Sequence, residues 1–210
     1  HYDATSNESA TIAISGVSGG SASESGVQTA SITITDNETA PTLSIATNDT
    51  SLGEGDSDAT LTATLSPNAT YGAVTVSIAT TGTADEGDDY ADMADITIAA
   101  GSTSGTVAFN PNPDSLYDNA TGTETAIINV GVSGGSATEY NTQTLTYTIT
   151  DGDSAPTVTL RSSASTVYDS AGNLTITAAM NVATYENVTV VIDGTSGSAT
   201  EGTDFAEVSN

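Results

Sequence analysis

The side chains that could do chemistry in this chain are carboxylates, and they recur at a fixed spacing. Five pairs of acids are each separated by 115 residues: Asp3 and Asp118, Asp36 and Asp151, Glu38 and Asp153, Glu54 and Asp169, and Asp89 and Asp204. Asp114 adds a further acid close to Asp118. Most of these acids lie in Gly-, Asp- and Asn-rich stretches that are typical of loops. With one histidine and no cysteine in the chain, such a set favours oxygen coordination of Ca²⁺ over a zinc or copper site.

The charge balance of the chain supports a metal ion. Lys and Arg together number one, against 27 Asp and Glu, and the net charge is −26. Two carboxylates about 5 Å apart repel by roughly 3 kcal/mol at an effective dielectric near 20, whereas a domain has a net stability of only about 5–15 kcal/mol. A cluster of several acids therefore needs a cation, or its members must spread apart. The alternative is that the acids are solvated loop residues of the kind found on halophile surfaces.

The composition also excludes several classes of function. Such an excess of negative charge repels phosphate backbones, so we expect no nucleic-acid binding, and no apolar run is long enough to insert into a membrane. His1 is the single histidine, which leaves a Ser-His-Asp arrangement without a base. The paired acids are not accompanied by the apolar cleft of a glycosidase. We therefore expect a protein that is not an enzyme.

The elements that position these acids are predicted to be β-strands. Apolar residues alternate with threonine, as in Leu61, Ala63 and Leu65, and no segment has a sustained 3.6-residue period. The same inward pattern is predicted for Ala30, Ile32, Ile34, Leu145, Tyr147, Ile149, Leu174, Ile176, Ala178 and Met180. Further strands are predicted around residues 9–15, 42–47, 73–80, 94–99, 104–109, 124–131, 157–162 and 187–193. About seven short strands in each period indicate an all-β antiparallel sandwich.

Aromatic residues also recur in pairs, and we expect them to pack in cores or corners. The pairs are Tyr2 and Tyr117, Tyr71 and Tyr185, and Tyr90 and Phe205.

The chain is organised as a tandem array. TITDNETAPTLSI at residues 33–45 returns as TITDGDSAPTVTL at 148–160, and GVSGGSA at 16–22 returns at 131–137. We predict a complete repeat over residues 41–153, the last part of a repeat over 1–38 and the first part of another over 156–210. These ranges are called the central repeat, the N-terminal segment and the C-terminal segment. We expect a window of a longer protein; alternatively, the two partial repeats of successive chains complete one another.

The central repeat resembles the Calx-β domain family. The similarity lies in SLGEGDSDATLTATLS, TGTADEGDDY, ITIAAGSTSGTVAF, DSLYDNATGTE and TYTITDGD. The resemblance implies immunoglobulin-like sandwiches that bind calcium with loop carboxylates at one end. By that resemblance Glu54, Asp89, Asp114, Asp118, Asp151 and Asp153 match ligand positions, and Glu124 matches an acid that supports the ligands. The chain departs from the family at Gly152 and Ser115, where the family often has aspartate.

These expectations favour a calcium-rigidified stalk of an extracellular surface protein or adhesin. Its partners would be neighbouring repeats, and any cell-surface or glycan ligand would bind through other domains. The main alternative is a polymerising subunit of an extracellular fibre or sheath, completed between like subunits by strand addition. A glycan-binding module is a weaker possibility.

Overall fold

The computed structural model describes residues 1–3, 7–118, 123–169, 172–192 and 196–206, and every regular element in these ranges is a β-strand. The strands are β1 (Asn7–Ala13), β2 (Thr29–Thr35), β3 (Thr42–Thr47), β4 (Ser51–Gly53), β5 (Ala59–Ser66), β6 (Val74–Gly82), β7 (Ile96–Ile98), β8 (Ser104–Phe109), β9 (Leu116–Tyr117), β10 (Thr123–Ser133), β11 (Thr138–Glu139), β12 (Thr144–Thr150), β13 (Val158–Ser162), β14 (Ile176–Met180) and β15 (Ala183–Thr184). The predicted all-β class is confirmed.

The central repeat contains two sheets. One has the strand order β4-β12-β10-β6-β7, and the other has the order β11-β3-β5-β8. Most neighbouring strands are antiparallel, as predicted, but the edge strands β4 and β11 pair in parallel with β12 and β3. These edge strands contain three and two residues, too few for an alternating pattern to reveal them in the sequence.

The core lies between these two sheets. Leu61, Ala63 and Leu65 are buried, as their alternation predicts. Phe109 stacks between Tyr147, at a ring-centroid distance of 3.9 Å, and Tyr90, at 4.9 Å. The Tyr147 hydroxyl donates a hydrogen bond to Thr47 Oγ1 at 2.9 Å, so its polar end is satisfied inside the sandwich.

The terminal segments form two-stranded sheets whose apolar faces are exposed. β1 pairs with β2, and β13 pairs with β14. Ile32 and Ile34, predicted to face a core, are 50% and 55% exposed, and Leu174, Ile176 and Met180 are about 40% exposed. The prediction of an inward face is wrong for these residues, because within the described ranges no second sheet covers them.

Two smaller predictions also fail. Residues 187–192 form no strand, although the equivalent strand β6 is paired on both sides by β10 and β7. No strand in the described part of the chain pairs with 187–192, and residue 193 is outside that part. Tyr71 and Tyr185 are 71% and 78% exposed, so they do not pack in a core, whereas Tyr90 does.

No helix in the described ranges is long and apolar enough to cross a membrane.

Candidate metal centre

The end of β4 brings the first predicted acid to the closing loop of the central repeat. β4 and β12 run in parallel, with Gly53 paired to Thr150, so the two strands end at the same end of the sheet. The Glu54 amide donates to the Thr150 carbonyl at 3.0 Å. Glu54 therefore lies beside the loop that begins at Asp151.

Three of the predicted acids form a first cluster. Glu54, Asp114 and Asp153 each offer a carboxylate oxygen, and these oxygens all lie within 4.8 Å of one another. Glu54 and Asp153 are partly buried, whereas Asp114 is exposed. Asp114 is held in its loop by the Leu116 amide, which donates to Asp114 Oδ1 at 2.8 Å.

Three further acids form a second cluster. Asp89, Asp118 and Glu124 are all partly buried and also offer oxygens within 4.8 Å of one another. The turn that carries Asp89 is closed by the Asp85 amide, which donates to Asp89 Oδ2 at 2.5 Å. The resemblance gives Glu124 a supporting role, yet its oxygen lies among those of the predicted ligands. Its position in β10 opposite Ile149 explains this, because Ile149 lies two residues before Asp151.

Asp151 lies outside both clusters and braces the loops that carry them. Its Oδ2 accepts the Asp118 amide at 3.0 Å and its Oδ1 accepts the Asp153 amide at 2.6 Å. One carboxylate thus fixes a member of each cluster. The predicted role of Asp151 as a direct ligand stays a prediction.

The electrostatic environment shows that the clusters are neighbours. Partial burial is the main cause that raises the pKa of Glu54 to about 7; the nearby charges of Asp151, Asp114 and Asp118 act in the same direction, and a hydrogen bond from the Gly152 amide acts against them. Partial burial also raises the pKa of Asp118, and acids of both clusters add to this effect, with Asp114 and Asp89 the largest contributors. Asp118 therefore lies close to acids of both clusters.

The acids of the N-terminal segment repeat part of this arrangement. Asp36 Oδ2 accepts the Asp3 amide at 3.0 Å and its Oδ1 accepts the Glu38 amide at 3.0 Å, as Asp151 does for Asp118 and Asp153. Hydrogen bonding with Glu38, and then with the Asp3 amide, lowers the pKa of Asp36. Asp3, Asp36 and Glu38 are not brought into a metal-sized group among the described residues.

The acids of the C-terminal segment repeat less of it. Asp204 Oδ2 accepts the Thr200 amide at 2.8 Å, which matches the turn around Asp89. Asp169 is exposed. Neither residue belongs to a cluster of three acids in the described part of the chain, so their predicted roles as ligands stay predictions.

The donor set of both clusters suits calcium. Calcium binds oxygens at about 2.3–2.6 Å, so two ligands of one ion lie at most about 5 Å apart, and the 4.8 Å spread of each cluster meets this limit. Zinc and copper favour nitrogen and sulfur donors, which neither cluster contains. Three carboxylates leave room in a shell of six to eight oxygens for backbone carbonyls or water.

Comparison with known proteins adds independent findings. The family model of the Calx-β domain matches residues 36–153 and again residues 151–210. Among solved structures, the chain is similar to the apo form of the Calx CBD1 domain, with a TM-score of 0.43 and 15% sequence identity over 53% of this chain and 99% of that chain. No curated protein matches the chain.

Proposed function

The chain belongs to the Calx-β domain family, and we propose that it is a calcium-rigidified stalk region of an extracellular surface protein or adhesin. Calx-β domains are calcium-binding β-sandwich domains. The observation that carries the proposal is the pair of carboxylate clusters that the loops and the start of β10 form in the central repeat. The one Lys or Arg of the chain, Arg161, lies on β13 and is paired with Thr177, so it does not belong to either cluster.

The residues of the two clusters would hold the ion by different elements of the sandwich. Glu54 follows β4, Asp153 follows β12, and Asp114 precedes β9. An ion held by all three joins loops that are far apart in sequence. Its charge also offsets the repulsion among these acids, which adds to the effect of burial in raising the pKa of Glu54.

The proposal is structural and not catalytic. The neighbours of the central repeat would be further repeats of the same protein or like subunits, while a cell-surface or glycan ligand would bind elsewhere in the parent protein. Neither a nucleic acid nor a membrane is a partner of this segment in the proposal, because the net charge of −26 repels both phosphate backbones and anionic lipid surfaces.

Calorimetric titration of the whole chain with calcium tests the function. We expect binding in the weak range of extracellular modules, at a dissociation constant of roughly 10⁻⁴–10⁻³ M. Glu54→Gln with Asp153→Asn should remove the heat of the first cluster, and Asp89→Asn with Glu124→Gln should remove that of the second. Each variant pair changes charge with little change in shape.

Asp92→Asn is the matched control, because Asp92 is an exposed acid outside both clusters. It should leave the titration unchanged. Absence of heat at millimolar calcium in the unaltered chain would refute calcium binding. An equal loss in Asp92→Asn and in the cluster variants would mean that calcium responds only to the general negative charge.

A polymerising subunit is the second candidate, favoured by the exposed apolar faces of the terminal segments. Ile32 and Ile34 on β2, and Ile176 and Met180 on β14, present apolar surface that a like subunit could cover by completing each sandwich. Sedimentation velocity over a range of chain concentrations tests it. Concentration-dependent growth that Ile32→Thr with Ile34→Thr suppresses supports the fibre, and a constant monomeric coefficient contradicts it.

A further inference from the structure

Two contacts between successive parts of the chain share one main-chain pattern. Near the N-terminus, the Tyr2 amide donates to the Ala69 carbonyl at 2.8 Å, and the Tyr71 amide donates to the Tyr2 carbonyl at 3.0 Å. At the other end of the central repeat, the Tyr185 amide donates to the Tyr117 carbonyl at 3.2 Å. There β9 and β15 pair in parallel.

The two contacts also use the same sequence motifs. The Tyr-Asp dipeptides at residues 2–3 and 117–118 pair with the Ala-Thr-Tyr tripeptides at 69–71 and 183–185, whereas a third Tyr-Asp at 168–169 makes no such pairing among the described residues. In both places the tyrosine of the dipeptide pairs with the tripeptide of the part of the chain that follows. A contact made twice with the same motifs is a property of the repeat and not of one particular junction.

The dipeptide also connects this contact to the candidate metal centre. Asp118 belongs to the second cluster, and its amide donates to Asp151 while its neighbour Tyr117 accepts from Tyr185. An open cleft of about 150 Å³ lies at this point. Its lining includes Asp89, Asp118 and Glu124 from the central repeat, and Tyr185 and Glu186 from the C-terminal segment.

We infer that the Tyr-Asp and Ala-Thr-Tyr motifs form the joint between successive repeats, and that a cation in the second cluster stabilises this joint by including Glu186 of the following repeat among its neighbours. The inference rests on the proposed function for its calcium-dependent part only. The main-chain pairing orients the following repeat without any ion. Glu186 adds one more negative charge to a cleft that is already acidic, so without a cation it opposes closure of the joint.

The N-terminal contact gives a natural comparison for Glu186. The residue after the Ala-Thr-Tyr motif is Gly72 there and Glu186 here. The hydrogen-bonded part of the joint is therefore common to both places, whereas the acid is specific to the second. The two parts can be tested separately.

Electron paramagnetic resonance distances between two spin labels measure the joint directly. The chain contains no cysteine, so Thr60→Cys on the outer face of β5 and Thr177→Cys on β14, both exposed, give unique labels in the two parts. In the parent chain, calcium should narrow the distance distribution. Tyr185→Pro lacks the amide that donates to Tyr117, and it should lose this narrowing.

Tyr185→Ala is the matched control, because it removes the same ring and keeps the amide. It should retain the calcium-dependent narrowing. Equal distributions for Tyr185→Pro and Tyr185→Ala, with and without calcium, would overturn the main-chain joint. Circular dichroism of both variants checks that the sandwich stays folded.

Glu186→Gln tests the ionic part. It should narrow the distribution in the absence of calcium, because it removes repulsion, and it should reduce the further change on adding calcium. A distribution identical to that of the parent in both conditions would overturn the role of Glu186. If calorimetry shows no calcium binding but the distance distribution of Tyr185→Pro is broader than that of Tyr185→Ala, the proposed function fails and the main-chain joint stands.

Discussion

At the scale of single residues, the surroundings of Glu54 raise the pKa of its carboxyl group. A carboxyl with a pKa of about 7 holds a proton over much of the range in which ordinary glutamates are ionised. The proton and the metal ion therefore compete for the same group. This competition gives the candidate metal centre a pH dependence that a solvated surface acid lacks.

The pH dependence of Glu54 gives the first prediction. Its folded-state pKa of about 7 is above the usual 4.5, so bound proton stabilises the calcium-free fold fully below pH 4.5, and this contribution is lost as the pH rises through about 7. Calcium requires the ionised form, so affinity should rise over the same window. Thermal unfolding without calcium and calorimetry with it, each from pH 4.5 to 8, measure both trends.

Glu54→Gln is the informative variant for this pH dependence, since glutamine cannot titrate. It should flatten the pH profile of stability between about pH 5 and 7, whereas Asp92→Asn should not. A profile that Glu54→Gln leaves unchanged would show that Glu54 is ionised throughout.

Gly152 gives the second prediction, because it lies at a position where the family often has an aspartate. A Cβ at Gly152 would meet Glu54 atoms no closer than 3.8 Å, and its backbone does not require glycine. Gly152→Asp should therefore fit, should raise calcium affinity by about tenfold through an added oxygen donor, and should lower the stability of the calcium-free chain. Gly152→Asn is the control, because it has the same size without the charge. Equal affinities for the two variants would contradict a role for charge at this position.

The sequence predicts the members of the candidate metal centre better than their grouping. Repetition at 115 residues singles out Asp118, Asp151 and Asp153, because a loop position that must keep its chemistry keeps its residue type. It does not show that Asp118 and Asp153 lie in different clusters. Whether two acids share a cluster depends on the three-dimensional course of the loops at one end of the sheet. Glu124 is assigned only a supporting role from sequence because its register opposite Ile149 is not visible in a linear pattern.

At the scale of elements, the alternating strands are predictable, whereas the short parallel edge strands β4 and β11 are not. β3 and β8 have the predicted bounds, and β6 differs by one residue at its start and two at its end. Where a strand has neighbours on both sides and a sheet above it, alternation and burial agree. Where these neighbours are lacking in the described residues, as for 187–192, local pattern alone does not produce a strand.

Gly82 gives a prediction about the end of β6, which pairs with β10, the strand that carries Glu124. It ends β6 at φ +133°, and a Cβ there would lie 2.0 Å from the Thr125 carbonyl oxygen. That carbonyl accepts the amides of Thr83 and Ala84, so it cannot move away freely. Gly82→Ala should destabilise the fold by roughly 2–4 kcal/mol, measured by denaturant unfolding. Gly16→Ala meets nothing within 4 Å and should change stability little; similar losses in both would refute the steric cause.

At the scale of the whole molecule, the high negative charge can be balanced by a general salt effect or by specific ions. Salt screens all acids in proportion to their exposure, whereas calcium acts where oxygens converge. The two mechanisms correspond to the halophile-like surface and to the calcium-rigidified stalk. They differ in the concentration of ion that is needed.

Thermal unfolding separates these mechanisms. Calcium at ten times its dissociation constant should add about 1.4 kcal/mol per site, and magnesium should add much less because it demands octahedral geometry and gives up its water reluctantly. Sodium chloride at equal ionic strength should give only the diffuse part of the gain. Equal shifts of the melting temperature with calcium and with sodium chloride would identify the acids as a solvated surface.

The short strands at the sheet edges affect how correctly such a chain folds as it is synthesised. Neighbouring segments of nearly the same sequence emerge together and are prone to exchange strands during folding. An edge strand is where such an error begins, because its unpaired amides and carbonyls accept any similar strand. β4, β7 and β11 contain only two or three residues each, so a misplaced copy gains few hydrogen bonds at these edges. Three of the four sheet edges thus offer little to a strand of the neighbouring repeat, and the fourth, the six-residue β8, is the edge at which such an exchange would begin.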